Sequence, residues 1–238
     1  MSRWRGPVVV TGTDTGVGKT IVAAAIAAAA TQSGQRVAVL KPAQTGDDDD
    51  AGTVTRLARP AAVSCLAHYP DPLAPLAAAG VADLPPLPMH EVIGAATQLA
   101  EHHDLVLLEG AGGLLVPMGL TSGRPWTVAD LAVALGTPAL VVVRAGLGTL
   151  NHTALTVEAL HRRGIPTSLV IGSWPRRPEL VHQSNLAELA TIADLVGRVP
   201  EGSGRLTPEE FRRDAPGWFD NHPASADEPV LTRHPAYG

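Results

Sequence analysis

The chain is poor in aromatic residues, which make up 3% of its 238 positions. Apolar residues in total reach 45%, so a core has to be packed mainly from Ala, Val and Leu. Cysteine is almost missing as well. Cys65 is the single one, which excludes an internal disulfide and any CxxC metal or redox motif and fits a reducing cytoplasm. Its ordinary role is that of a small apolar side chain. There is no basic excess. A net charge of -5 speaks against a general nucleic-acid binder. No stretch reaches about 18 uninterrupted apolar residues, so no membrane span is expected. The opening MSRWRGPVVV has no long apolar run followed by a small-residue cleavage site, so no secretory signal is read there. The expectation is a cytoplasmic globular protein without a nucleic-acid or membrane partner.

What the chain does have is a rhythm. Short β-branched runs alternate with Ala/Leu-rich segments. The runs are Val8 to Thr11, Val37 to Leu40, Leu105 to Leu108, Ala139 to Val143, Leu169 to Ile171 and Leu195 to Val199. They are continuously apolar, as strands covered on both faces of a parallel sheet are. Helices are predicted over Lys19–Ser33 (stopped by Gly34), Met89–His102, Val128–Leu135, Leu150–Arg163 (stopped by Gly164) and Glu179–Leu195, with glycine and proline as the expected punctuation. The βαβα order predicts one doubly wound α/β domain over 1–214 with right-handed crossovers. The Pro- and Ala-rich Pro70–Pro88 reads as an ordered loop or short helix. The polar segment 215–238 reads as a loosely held tail.

One glycine-rich turn, GTDTGVGKT, lies between the first strand and the first helix. The common phosphate-loop spacing, G-x-x-x-x-G-K-[ST], would put its first glycine at 13. Thr13 stands there, and Gly12 comes one residue earlier. The strand-loop-helix setting nonetheless supports a nucleotide site. Gly12, Gly16 and Gly18 let the backbone approach an anion, and the helix N-terminus faces it. Lys19 can reach the phosphates, and the Thr20 hydroxyl can ligate Mg²⁺. Glu109 ends the run LVLLE and is followed by Gly110, Gly112 and Gly113. It is a metal-ligand candidate, because sheet C-termini line sites in open α/β folds; the other reading is a surface carboxylate beside a turn. The run Asp47–Asp50 is either a solvated loop or a second acidic source for the metal. Lys41 and Thr45, in KPAQTG, lie at the same edge, with Lys41 ending the second strand. Lys41 is either a lysine whose stem packs on the sheet or a second cation beside a transferring phosphoryl group.

Together GTDTGVGKT, KPAQTG, EGAGGLLVP and LGTLNHT resemble the dethiobiotin synthetases, in the family's order and across residues 8 to about 201. The longer loop is a habit of that family. The resemblance implies a P-loop NTPase-like fold and a homodimer with the substrate site at the interface. It also implies Mg²⁺, ATP as co-substrate, and 7,8-diaminononanoate and CO₂ as substrates. By motif, Lys19 and Lys41 are the catalytic lysines. The nucleotide contacts are Gly16, Val17, Gly18, Lys19, Thr20 and Ile21, then Asp50, Glu109, Gly110, Ala111 and Gly112, then Gly172 and Ser173, and lastly Val199, Pro200 and Glu201. Thr20, Asp50 and Glu109 are the implied metal ligands, with Asp49 an alternative to Asp50. The substrate contacts are Thr15, Lys41, Thr45, Leu147, Gly148, Thr149, Leu150 and Asn151. The last five open a helix, whose N–H groups suit a carboxylate; Asn151 is otherwise a helix cap.

One departure stands out. Many members of that family carry an asparagine that reads adenine, where Gly172 stands here. The expectation is weaker base selectivity, with other nucleotides such as CTP accepted. Two related readings fail on residues. A ParA-like partition ATPase needs a lysine early in the loop, where Asp14 stands. A cobyrinate amidating synthetase needs an appended glutaminase domain with a nucleophilic cysteine, for which the chain is too short. A degenerate paralogue that only binds nucleotide would not be expected to keep Lys19, Lys41 and Glu109 together.

Overall fold

A computed structural model describes residues 4–219 of the chain. In chain order the first half holds β1 (Gly6–Gly12), α1 (Lys19–Gln32), β2 (Val37–Thr45), α2 (Asp50–Ala58), β3 (Ala62–Tyr69), α3 (Pro75–Val81), α4 (Met89–Ala100) and β4 (Leu105–Glu109). The second half holds β5 (Gly119–Thr121), β6 (Arg124–Trp126), α5 (Val128–Leu135), β7 (Ala139–Val143), α6 (Thr149–His161), β8 (Thr167–Trp174), α7 (Leu180–Ile192), β9 (Asp194–Pro200) and α8 (Pro208–Asp214).

Every apolar run predicted as a strand lies in one seven-stranded sheet of order β3-β2-β4-β1-β7-β8-β9. All its pairings are parallel. The strands are apolar on both sides because both faces are covered. Along β1, Val8 and Val10 enter the core beneath α1 and α2, while Val9 enters the core on the opposite face, with α4, α5 and α6. This is the two-residue period of a strand used twice. The alanines of α1 are almost all buried, and their small side chains let the helix lie close to its neighbours. Gly34, at φ 85°, ends that helix as expected.

The sheet has its order reversal at β1, which lies between β4 and β7. Ligands of open α/β sheets bind at such a point, beyond the strand C-termini. Next to it, β2 and β4 part. They pair only over Val37–Leu40 and Leu105–Leu108, while β2 stays with β3 as far as Thr45. Lys41 therefore does not end its strand, as expected from the sequence; it lies within β2, at the residue where β4 is left behind. Pro42 follows where β2 is free on that side, a place where a strand tolerates a missing N–H.

Several elements had no apolar run to announce them. β3 is an edge strand with a half-exposed, mixed sequence. The β5–β6 hairpin is three residues a side. α2 begins inside the aspartate run. Within Pro70–Pro88 the short-helix alternative holds, as α3. At the other end, the chain does not loosen at 215. Ala215–Trp218 forms a 3-10 turn with Ala215 fully buried. Trp218 stacks edge-on against Phe211, and Phe219 against Trp4. The aromatic residues, few as they are, fasten this end to the core. The rest of the expected tail, 220–238, lies outside the described residues.

Candidate functional site

The loop from 13 to 18 joins β1 to α1 at the order reversal. Its last residue, Gly18, caps α1 in the left-handed conformation at φ 99°. A side chain is also excluded there by space, since a Cβ would lie 2.8 Å from the Gly172 carbonyl oxygen. Lys19 is buried, and its Nζ donates to the Asp14 carbonyl oxygen at 3.0 Å. Burial first, and Lys41 also, push the Lys19 pKa down to about 8, against the pull of Glu109 and Asp50. An anion in the loop would raise it again.

Three elements deliver the residues beside it. α1 brings Thr20, β4 ends on Glu109, and α2 begins with Asp50. Thr20 Oγ1 lies 2.7 Å from Asp50 Oδ1 and 2.8 Å from Glu109 Oε1. A hydroxyl has one proton to donate, so the two carboxylates cannot both be satisfied by it. Lys41 completes the cluster. Its Nζ donates to Glu109 Oε1 at 2.9 Å and is paired with Asp50 Oδ2. Glu109 is 1% exposed and Lys41 5%, so the packed-stem reading of Lys41 is wrong about where its head goes. Burial alone would lower the Lys41 pKa, but Glu109 and Asp50 together raise it above its ordinary value. Burial likewise pushes Asp50 up, and Lys41, Thr20 and Lys19 outweigh it and hold its carboxyl below the usual range.

Asp49 and Asp50 are distinguished by the helix they start. Asp49 is the N-cap of α2 and accepts from the Gly52 N–H at 2.7 Å. Asp50 turns inward, and its own N–H points at Gln44 Oε1, 3.4 Å away. Among the described residues no group of three or more His, Cys, Asp or Glu is arranged to hold a metal. What the cluster offers is two carboxylates and a hydroxyl, with the Lys41 ammonium set against both carboxylates. That all-oxygen set suits a hard divalent cation that keeps waters and substrate oxygens as its other ligands.

The other expected residues fall into two groups. Gly110, Ala111 and Gly112 carry the chain from Glu109 back against the phosphate loop. The Gly110 N–H donates to the Val10 carbonyl at 3.0 Å, and a Cβ on Gly112 would lie 3.6 Å from Thr15 Oγ1. Thr45 closes β2. On the other side of the loop, Val17, Ile21, Gly172 and the segment after β9 meet. A Cβ on Gly204 would touch Ile21 Cδ1 at 2.9 Å, and the Glu201 N–H donates to the Trp174 carbonyl at 2.7 Å. Ser173 is exposed, whereas Val199 is fully buried, backbone included. Gly172 has a structural cause that the sequence did not suggest. A Cβ there would lie 2.0 Å from the Val17 carbonyl oxygen. The glycine lets β8 and the phosphate loop touch.

Leu147–Asn151 opens α6, whose cap is Gly148 at φ 87°. Asn151 lies inside the helix and is exposed, so it is not a cap. Thr149 is buried, and its Oγ1 has no hydrogen-bond partner. Two residues at the loop escaped the sequence reading. Asp14 accepts from Lys19 through its carbonyl, and Arg144 donates to the Thr15 carbonyl at 2.9 Å. Arg144 follows the buried run of β7, the same signal that marked Glu109 at the end of β4.

Comparison with known proteins follows the same line. The AAA domain family matches residues 7–207. The ATP-dependent dethiobiotin synthetase BioD of Streptomyces avermitilis is 52% identical over 218 residues, covering 89% of this chain and 90% of that protein. That of Rhodococcus jostii is 51% identical over 220 residues, covering 90% and 94%. That of Mycobacterium avium is 47% identical over 216 residues, covering 89% and 94%. Among solved structures, a chain of the MinC:MinD cell division protein complex of Aquifex aeolicus superposes with a TM-score of 0.54 at 16% identity, covering 88% of this chain and 86% of that one. Aquifex aeolicus MinD gives 0.52 at the same identity and coverage. These structural likenesses carry the P-loop α/β fold and nothing more. No helix among the described residues is long and apolar enough to cross a membrane.

Proposed function

The chain belongs to the ATP-dependent dethiobiotin synthetases, and from that premise we propose how its residues divide the work of joining CO₂ to 7,8-diaminononanoate. One amine takes up CO₂ as a carbamate. A carbamate oxygen attacks the γ-phosphorus of ATP, and ADP leaves. The second amine then attacks the carbonyl carbon of the carbamic-phosphoric anhydride, and phosphate leaves as the cyclic urea closes.

The observation that carries this assignment is the convergence of Lys19, Thr20, Lys41, Asp50 and Glu109 beyond the ends of β1 and β4, where β2 has parted from β4. Lys19 holds the phosphate chain at the start of α1, where backbone N–H groups and the helix dipole favour anions. Lys41 is fixed by two carboxylates, so its charge is in place before the reaction and needs little reorganisation. Such a preorganised cation stabilises the charge that develops on the transferring group. Thr20, Asp50 and Glu109 would hold Mg²⁺, with Asp50 preferred to Asp49 because the Asp49 carboxylate is occupied as a cap. When bound, Mg²⁺ supplies charge neutralisation to the phosphate oxygens. Thr15 and Thr45 border the diamine.

The opening of α6 is assigned to the substrate carboxylate, at an interface between two copies of the chain. What supports it is a helix N-terminus with no side-chain cap and Leu147 beside it, 87% exposed. An apolar side chain so placed suits cover by a partner. ADP release on adding 7,8-diaminononanoate with bicarbonate, MgATP and the full chain tests the assignment. Strong stimulation by the diamine is expected; none would remove it.

A further inference from the structure

Arg144 has no role in the assignment above, yet it touches the lengthened loop at Asp14 and Thr15. Its Nη2 donates to the Thr15 carbonyl at 2.9 Å and lies 3.5 Å from Asp14 Oδ2. The same two residues are tied from other sides. Asp14 Oδ1 accepts from the Thr15 N–H at 2.7 Å, and the Asp14 carbonyl accepts from Lys19 Nζ. The Thr13 N–H donates to the Val142 carbonyl of β7 at 3.1 Å, so β7 holds the start of the loop and the residue directly after it supplies the arginine. On the opposite side Gly112 backs Thr15.

The carbonyl that Arg144 holds and the N–H of Gly16 belong to one planar peptide unit and point in opposite directions. Gly16 has φ 69°, and a glycine on one side of a peptide leaves it little steric resistance to turning over. We propose that Arg144 is a positioning residue for nucleotide binding, holding the Thr15–Gly16 peptide with its carbonyl outward so that the Gly16 N–H is presented to the phosphates. The proposal rests on the assignment of residues 12–20 to the phosphates of ATP. It goes beyond that assignment by giving the longer loop a clamp from a neighbouring strand.

The ion pair itself is a minor part. The Arg144 and Asp14 side chains are 50% and 57% exposed, and water screens such pairs. Fold stability should therefore hardly depend on Arg144, whereas nucleotide affinity should. The test is titration calorimetry of the full chain with MgATP and with MgADP, on wild type, Arg144→Met and Arg144→Lys, with melting temperatures alongside. Arg144→Met should weaken both nucleotides by on the order of tenfold, the lower end for a half-exposed charge-assisted hydrogen bond, with little change in melting temperature. Arg144→Lys should recover part of the loss, since an ammonium can still donate to the carbonyl. In turnover, KM for ATP should rise while kcat at saturation stays within about twofold, as expected for lost uniform binding. Affinities within about twofold of wild type would overturn the proposal under the same linkage. So would a loss confined to ATP, which would mean that the guanidinium meets the γ-phosphate directly. A wild-type chain that bound neither nucleotide would instead overturn the phosphate-loop assignment beneath it.

Discussion

Lys41→Gln removes the cation in contact with both Asp50 and Glu109. Glu109 is 1% exposed and the Asp50 side chain 23% exposed, so one carboxylate is left in the interior and the other at its edge. Removing one partner of a buried pair costs about 3–5 kcal/mol, because the remaining charge is uncompensated. The partial exposure of Asp50 points to the lower end, roughly 3 kcal/mol, which in a domain of this size lowers the melting temperature by about 6–12 °C. Turnover should fall by about 10²–10³, the usual loss for a preorganised group acting on transition-state charge. The pH dependence has a definite sign. The raised pKa of Lys41 makes its contribution fully present below its unfolded value and lost as pH rises through the folded one. The lowered pKa of Asp50 makes its contribution present above its unfolded value and lost as pH falls through the folded one. The deficit of the variant should thus be widest near neutrality and shrink toward acid as Asp50 takes up a proton. With the ammonium gone, Mg²⁺ alone should raise the variant's melting temperature more than the wild type's. Thermal melts with and without Mg²⁺, from acid to neutral pH, and steady-state ADP release measure all of this. An unchanged melting temperature would refute the buried-pair reasoning, and near-normal turnover would remove Lys41 from the chemistry.

Lys19 gives a second pH effect. Its folded pKa of about 8 lies below the ordinary lysine value of 10.5, so the unfolded chain binds more protons between them and, from this group alone, stability rises with pH across that window. Nucleotide binding at about pH 9 should take up a proton as phosphate recharges the lysine; calorimetry in two buffers of different ionisation enthalpy detects it, and equal heats would show that Lys19 was already charged. Gly172→Asn should abolish turnover with ATP and CTP alike, because its Cβ would collide with the Val17 carbonyl 2.0 Å away; a gain in ATP preference with intact turnover would mean that the strand can yield. The wild type should turn over ATP and CTP at comparable rates, and a large ATP preference would count against weak base reading. Phe211→Ala removes a fully buried ring stacked on Trp218 at 5.2 Å and should cost about 3–5 kcal/mol in denaturant unfolding; a loss under about 1 kcal/mol would mean that the C-terminal helix is not part of the core.

The loop was legible because its chemistry is local. Gly12, Gly18, Lys19 and Thr20 lie within one turn between a strand and a helix, and covalent geometry alone brings them together. The central strands were legible too, since burial on both faces leaves no polar positions and so no alternation. The misses share a different cause. β3 runs along the sheet edge and keeps polar and exposed residues, so its sequence resembles a loop. α2 starts within four aspartates, and its apolar residues Val54, Leu57 and Ala58 are too few to show a period. The segment from 215 was read as loose because Trp218 and Phe219 stand among polar and proline residues, and the turn that carries them packs on α1 and Trp4, nearly the whole chain away.

From the sequence came the order of elements, the phosphate loop with its extra residue, and the charged residues that close buried runs. All of these are set by neighbours along the chain. Which of Asp49 and Asp50 faces the cluster came from the structure, because both are equally acidic and only the cap geometry of α2 turns one outward and the other in. The structure also decided that Lys41 reaches Glu109, 68 residues away. That contact depends on β4 inserting between β2 and β1 and then parting from β2, a matter of strand order that no local pattern encodes. Gly172 belongs with these: as a sequence position it suggested a lost base contact, and only the approach of two backbones to within a carbonyl's reach explains why nothing larger stands there.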